Sequence, residues 1–331
     1  MRPRRADSGR VTATPYARRS RRTPTVRPAG PGDASDICAL LNAVDVIEIG
    51  RPETDLAAVE ADLHHPDTDL AKDSWLAFEG GRLVACVQVW HDSGPGRVDS
   101  DHYALPGHRE AAVRLLELME IRARELTAGA GDAVMRLRLN AEPVLDADVL
   151  PGRGYRSVRR HHVMTRALSP AADLPPAPPG DLVLRDCAAD EADRRRAHAL
   201  VEEAFASHFG HVHRPYEAWL DHLDAHTLDW SLVWIASLPG AGDAGVLLTR
   251  DDRTSMAWLG HLGVRADLRG RGIGGFLLRH AFAAYAARGR ATVGLGVDTR
   301  NESGALALYE AHGMALHYAV DTWELRLHSR G

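Results

Sequence analysis

One stretch limits the possible folds of this chain more than any other: His261-Leu262-Gly263-Val264-Arg265-Ala266-Asp267-Leu268-Arg269-Gly270-Arg271-Gly272-Ile273-Gly274. Leu259 to Val264 reads as a strand, and Phe276, Leu277, His280, Ala281, Ala284 and Tyr285 recur at helical spacing. That spacing predicts a helix from about Gly272 to Ala287, stopping near Gly289. A glycine-rich turn thus feeds a strand into a helix N-terminus, where backbone N–H groups lack intrahelical partners and the helix dipole is positive. Glycine removes the Cβ that would block close approach, and Arg269 and Arg271 add charge. The turn suits an anion, above all a phosphate.

Two ligand classes fit a phosphate-binding turn of this kind. Gly270, Gly272 and Gly275 satisfy G-x-G-x-x-G, and Asp298 follows a later strand at the dinucleotide-fold spacing, so a nicotinamide dinucleotide is a rival. Against it, Arg265 to Arg269 separate the strand from the first glycine, and few strand–helix units follow.

Val264 to Gly274 resembles the pyrophosphate-binding signature of the GNAT superfamily of N-acetyltransferases, R-x-x-G-x-G after a strand and before a helix. Ala291 to Val297 reads as the next strand. The segment Asn301 to Met314 is similar to the family's Asn…Leu-Tyr…Gly-aromatic segment, with Met314 in place of the aromatic residue. Here Asn301 is expected to cap a helix and Gly313 to end it. The resemblance spans about Asp181 to Leu327.

It implies an α/β (α+β) fold with a mixed, mostly antiparallel sheet flanked by helices, and acetyl-CoA as co-substrate. By the same resemblance, pantetheine lies in a wedge between two splayed strands, beside Leu262, Gly263 and Val264, whose backbone N–H groups polarise the thioester. The amides of Arg269, Gly270, Arg271, Gly272, Ile273 and Gly274 hold the pyrophosphate, with Asn301 and Ser303 also on the cofactor side. Tyr309 matches the general acid that protonates the departing thiolate. The acceptor is a small-molecule or peptide amine, attacking directly in a ternary complex.

The general base is more open. His261 is the nearest titratable candidate, but strict alternation points it away from the face of Val264 unless a bulge intervenes. A water chain, a carboxylate or another histidine are the alternatives. His208, His211 and His213 fall in a loop from Ser207 to Arg214 with no fixed ligand pattern, so no metal is expected there. Contacts of this loop, with Tyr216 and Trp219, to the acceptor are the preferred reading.

The rest of the chain reads as a second copy of this plan. Ser169 to Gly180 (SPAADLPPAPPG) contains five prolines, which lack backbone donors and cannot join a sheet or helix interior. It divides the chain into an Arg-rich, disordered tail (1–24) with a first domain (25–168), then the linker (169–180) and a catalytic domain (181–331). Each half opens with a short strand and an acidic helix start, and closes on a glycine and a long strand: Gly154-Tyr155 to Leu168, and Gly313-Met314 to Leu327. Two such domains in tandem resemble the mycothiol-synthase arrangement. Where the first half should carry its glycine turn it reads Tyr103-Ala104-Leu105-Pro106-Gly107-His108-Arg109-Glu110, a poor phosphate cradle. A degenerate domain that shapes the acceptor pocket is expected.

Charge narrows the partners. The first 24 residues hold eight arginines against Asp7, a charge of +7, so the net −5 of the chain leaves −12 for the remainder. An acidic body disfavours nucleic acid. No apolar run reaches the length of a membrane span, and no signal-like stretch opens the chain. Cys38, Cys86 and Cys187 are scattered and odd in number, pointing to free thiols and a cytoplasmic setting. A non-catalytic acyl-CoA sensor or scaffold is the rival from another functional class. Oligomeric state is not legible.

Overall fold

The computed structural model describes residues 23–65, 68–90, 96–223, 228–253, 255–301 and 303–327. Nearly all of the expected Arg-rich tail therefore lies outside the described residues, as does Glu302 within the Asn301–Met314 segment.

The first half runs β1 (Thr25–Arg27), α1 (Ala34–Glu48), α2 (Leu56–Leu63), α3 (Leu70–Asp73), β2 (Ser74–Glu79), β3 (Arg82–Trp90), β4 (Arg97–Ala104), α4 (Arg109–Leu126), β5 (Ala133–Asn140), α5 (Val149–Gly152) and β6 (Arg156–Ala167). The second half runs β7 (Val183–Asp186), α6 (Glu191–Phe205), α7 (Tyr216–His222), β8 (Val233–Leu238), β9 (Gly242–Arg250), β10 (Ala257–Val264), α8 (Ile273–Ala287), β11 (Thr292–Asp298), α9 (Ala305–Ala311) and β12 (Ala315–Leu327). The proline-rich stretch between them belongs to neither helix nor strand. It is held by Asp173, which pairs with Arg166 at 2.6 Å and accepts from the Ser169 amide.

Each half brings a mixed, mostly antiparallel set of strands, and together they form one 12-stranded sheet in the order β1-β2-β3-β4-β5-β12-β6-β11-β10-β9-β8-β7. Among the described residues only β4–β5 and β10–β11 are parallel. The long closing strands change sides. β6, from the first half, pairs with β11 from Thr292 opposite Ala167 to Asp298 opposite His161. β12, from the second half, pairs with β5 from Val320 opposite Asn140 to Leu327 opposite Ala133. The two exchanged strands then pair with each other, joining the halves at the centre of the sheet. Hydrogen bonding therefore divides the molecule differently from the covalent chain.

Period-2 patterning sends alternate residues to opposite faces. One face of the first half packs Ala77, Ala85, Val87 and Met135 on α4, while the other sets Leu76 and Cys86 against α1. In the second half, Leu247, Leu259 and Leu295 meet α8, and Ile235, Val246 and Leu248 meet α6. Helix α8 is apolar almost all round: Phe276, Leu277, Leu278, Ala281, Phe282 and Tyr285 are each at most 2% exposed. Each such burial contributes about 1.5–3 kcal/mol for a large side chain. The helix is fixed rigidly behind the glycine turn.

Tyr216 and Trp219 are core residues beside α6, 6% and 4% exposed, and do not line an acceptor site as expected. Their spacing on a short helix is that of an inward-facing stripe, which explains the outcome.

Candidate active site

The site begins where two strands stop pairing. β10 and β11 are in register at Ala257–Val293, Trp258–Gly294 and Leu259–Leu295, and not beyond. The stretch His261–Val264 then pairs only with β9, and Gly296–Asp298 only with β6. A cavity of about 480 Å³ opens in the gap. Its walls come from the end of α6, the parted strands, the glycine turn and α9.

Of the residues singled out from sequence, Leu262, Gly263, Val264, Arg269, Gly270, Gly272, Ile273, Gly274, Asn301, Ser303 and Tyr309 line this cavity. His261 and Arg271 do not. A bulge at Gly260 does interrupt β10, since the register shifts between Leu259 and His261. It lies upstream of His261, so His261 still alternates with Leu262 and Val264. Its ring meets Phe205 of α6, centroids 5.0 Å apart, on the opposite face from Val264. What the bulge does is move Leu262 and Val264 onto the face of α8, beside Leu259.

The turn has the expected conformation. Gly270 and Gly272 adopt φ of +77° and +79°, left-handed values that strain other residues, and Gly272 is the N-cap of α8. The amides of Ile273, Gly274 and Gly275 precede the first carbonyl that an α-helix could offer them, so they point outward as donors. Arg269 folds back to donate from Nε to the Val264 carbonyl at 3.2 Å, bracing the turn against the strand end. Gly263 serves packing as well as any ligand: a Cβ there would fall 2.6 Å from the Ala204 Cβ of α6.

Tyr309 projects from α9 into the wall and is 8% exposed. Burial pushes its phenol up to about 12, so it stays protonated through the neutral range. Gly313, with φ of +79°, follows the end of α9 as expected. The start of α9 differs. Gly304 is its N-cap, and Asn301 instead accepts from the Ser303 amide at 2.7 Å in the turn before it. An Asx turn competes with capping for the same side-chain oxygen, which is why Asn identity alone misplaces the helix start.

At the other end of the cavity, His208 comes from the loop that the sequence reading places near the acceptor, while Phe205 and His161 are not legible from sequence. Phe205, His208, Phe209, His161 and Asp298 close it on the α6 face of the sheet. Asp298 pairs with Arg159 of β6 at 2.9 Å and accepts from the Arg300 amide. Thus β6 brings His161 from the first half to a cavity of the second, with Arg159 behind it on Asp298. The loop after α6 is fastened the same way: the Phe209 ring lies between the guanidinium groups of Arg136 and Arg159, at 4.5 and 4.7 Å, and Arg97 donates to the Gly210 carbonyl. His211 and His213 turn away from the cavity to Glu202, at 3.1 and 2.6 Å. A long sequence separation hides all of these neighbours from local pattern.

Among its described residues the first half offers no matching turn. Ahead of α4, His108 pairs with Glu79, and Arg109 is engaged by Asp146 and Asp148. Carboxylates beside a helix N-terminus oppose an incoming anion.

A family model for the acetyltransferase (GNAT) domain matches residues 229–313, which hold the turn, the parted strands and Tyr309. Among solved structures, a GCN5-related N-acetyltransferase from Sphaerobacter thermophilus is 25% identical, with 93% of this chain and 96% of that one covered and a TM-score of 0.78. A tandem GNAT protein from the clavulanic acid biosynthesis pathway shares the fold at 15% identity, covering 92% of this chain and 98% of its own, with a TM-score of 0.67. No curated protein matches the sequence. Residues 229–313 are a GNAT acetyltransferase domain, and the chain that carries them is an acyltransferase built on the tandem GNAT-like fold.

Proposed function

We propose that the protein transfers an acetyl group from acetyl-CoA to a primary amine by direct attack, with both substrates bound together. The observation that carries this is the parting of β10 and β11 immediately ahead of the α8 N-terminus, with Tyr309 in the wall between them. Gly270, Gly272 and the first amides of α8 fit a pyrophosphate, because donors converge there with no Cβ on either left-handed glycine. Edge-exposed backbone of Leu262 to Val264 fits the amides of a pantetheine arm. Its N–H groups would polarise the thioester carbonyl. Tyr309 supplies the proton for the sulfur, and the acceptor enters from the α6 face. None of Cys38, Cys86 or Cys187 lines the cavity, which supports direct transfer over an acyl-cysteine route.

Calorimetric titration of the full chain tests the co-substrate. One acetyl-CoA site is expected, with no heat from NADH; binding of NADH alone would revive the dinucleotide rival. A panel of primary amines, followed by release of free CoA thiol, then tests the acceptor class. Gly272→Asp is expected to weaken acetyl-CoA binding by about tenfold or more, since it adds a carboxylate at the helix N-cap in a left-handed conformation. An unchanged dissociation constant in that variant would remove the pyrophosphate from this turn. Among the described residues no helix is long and apolar enough to cross a membrane.

A further inference from the structure

We infer that His208, in the loop after α6, is the general base that takes the proton from the attacking amine through its Nε2; this rests on the acetyl-transfer reading above.

His208 lines the same cavity as Tyr309, on the α6 side from which the acceptor enters. Its position is fixed on two sides. The imidazole lies on the Phe205 ring, centroids 4.5 Å apart and planes 32° apart. The Asn301 amide nitrogen stands 3.4 Å from Nε2. The orientation of that amide is settled by its other end, because Asn301 Oδ1 accepts from the Ser303 N–H at 2.7 Å. An NH₂ group therefore faces Nε2, which makes Nε2 the nitrogen with the lone pair and leaves the ring proton on Nδ1, which is buried without a hydrogen-bond partner. A neutral imidazole thus has Nε2 as its basic nitrogen, whose lone pair accepts the long Asn301 contact until an acceptor nitrogen displaces it.

The surroundings suit a base that charges only transiently. Burial pulls the His208 imidazole below its ordinary range, opposed by the Phe205 carbonyl and Asp298, and reinforced by His211 and Arg269. Asp298, on the next wall, is the group that would steady the imidazolium once formed. The two rival histidines are less well placed. His161 shares the wall, where burial first and then Arg138 and Arg159 oppose its protonation, with Asp298 favouring it. His261 faces the underside of Phe205.

The step balances as follows. His208 Nε2 first takes a proton from the acceptor's ammonium group and later releases it to solvent. The freed nitrogen bonds to the acyl carbon as the carbon–sulfur bond breaks, Tyr309 gives its hydroxyl proton to the sulfur, and the nitrogen's second proton returns through water to Tyr309, leaving an amide and a thiol.

The test uses the full chain, the best primary amine from the panel, and hydroxylamine, which is already neutral near pH 7. His208→Gln should lower kcat/KM for the alkylamine by about 100-fold or more. It should cost much less with hydroxylamine, abolish the acidic limb of the pH profile, and leave acetyl-CoA affinity within about twofold. A variant with kcat/KM within threefold of the parent and an unshifted acidic limb overturns the proposal. Should the variant not fold, ¹⁵N-imidazole NMR of the parent chain decides: Nδ1–H with a bare Nε2 at pH 7 supports it, and the opposite tautomer or an imidazolium overturns it. A parent chain that binds acetyl-CoA and acetylates no amine defeats the transferase reading itself, and this assignment with it.

Discussion

Tyr309→Phe is expected to lower kcat by about 10²–10⁴-fold while leaving the dissociation constant for acetyl-CoA within about twofold. Only the hydroxyl is lost, and the ring that packs in the cavity wall remains, so no void opens and the fold should keep its stability. With its phenol pushed up to about 12 by burial, Tyr309 is a weaker acid than a thiol in water. It can still act, because the same poorly solvated wall raises the basicity of a sulfur that is shedding its carbon. A hydrogen bond strengthening into a proton transfer is the form this would take. No loss of protonated Tyr309 is expected across the neutral range, so this residue should leave the basic limb flat where most enzymes are assayed. Steady-state thiol release beside calorimetry separates the outcomes. An unchanged kcat would strip Tyr309 of the acid role. A parent chain that binds acetyl-CoA tightly and never turns over would instead be the non-catalytic sensor.

The second large effect concerns the chain cut at its proline-rich stretch. Residues 181–331 alone contain the whole glycine turn, both parted strands and Tyr309, yet they are expected to be insoluble or oligomeric. The fragment lacks β6, whose removal unpairs β11 along Thr292–Asp298 and β12 along Ala315–Glu324. It also lacks β5, the other neighbour of β12. Exposed strand edges of that length invite pairing with other chains. It would lose His161 from the cavity as well, and the Arg159 partner of Asp298. Extending the fragment to begin at Arg156 restores β6, and with it the wall. Light scattering and amide exchange of the two fragments would check this. A monomeric, well-protected 181–331 would show that the exchanged strands are dispensable.

Much of the site was legible because its signals are local. Glycines with positive φ at 270 and 272 and the helical stripe of α8 each depend on neighbours within a turn or two. The duplicated plan was also readable, from repeated element order on either side of the prolines. Partner choice among strands was not. β6 and β12 are both long and end their halves in the same way, and nothing in a period-2 pattern says which β5-like neighbour each will take. A bulge between His261 and Val264 would turn that histidine to the face of Val264, but the bulge that forms lies upstream, at Gly260, and only the register reveals it. His208 was visible as one of three loop histidines. What distinguished it from His211 and His213 was Glu202, which holds the other two from a helix nine and eleven residues upstream.

The crossing of the closing strands also sets an order in time. During synthesis the first half emerges with β5 complete, yet the strand that covers its open edge is the last of the described elements, ending at Leu327. Its own closing strand, β6, finds its partner β11 only after another hundred residues and more have left the ribosome. Neither half can reach its final hydrogen-bonded state first. The nascent chain must carry an unfinished sheet edge until both are present, so its folding is governed by distant contacts and should be slow. A chaperone that shields strand edges would find its binding window there.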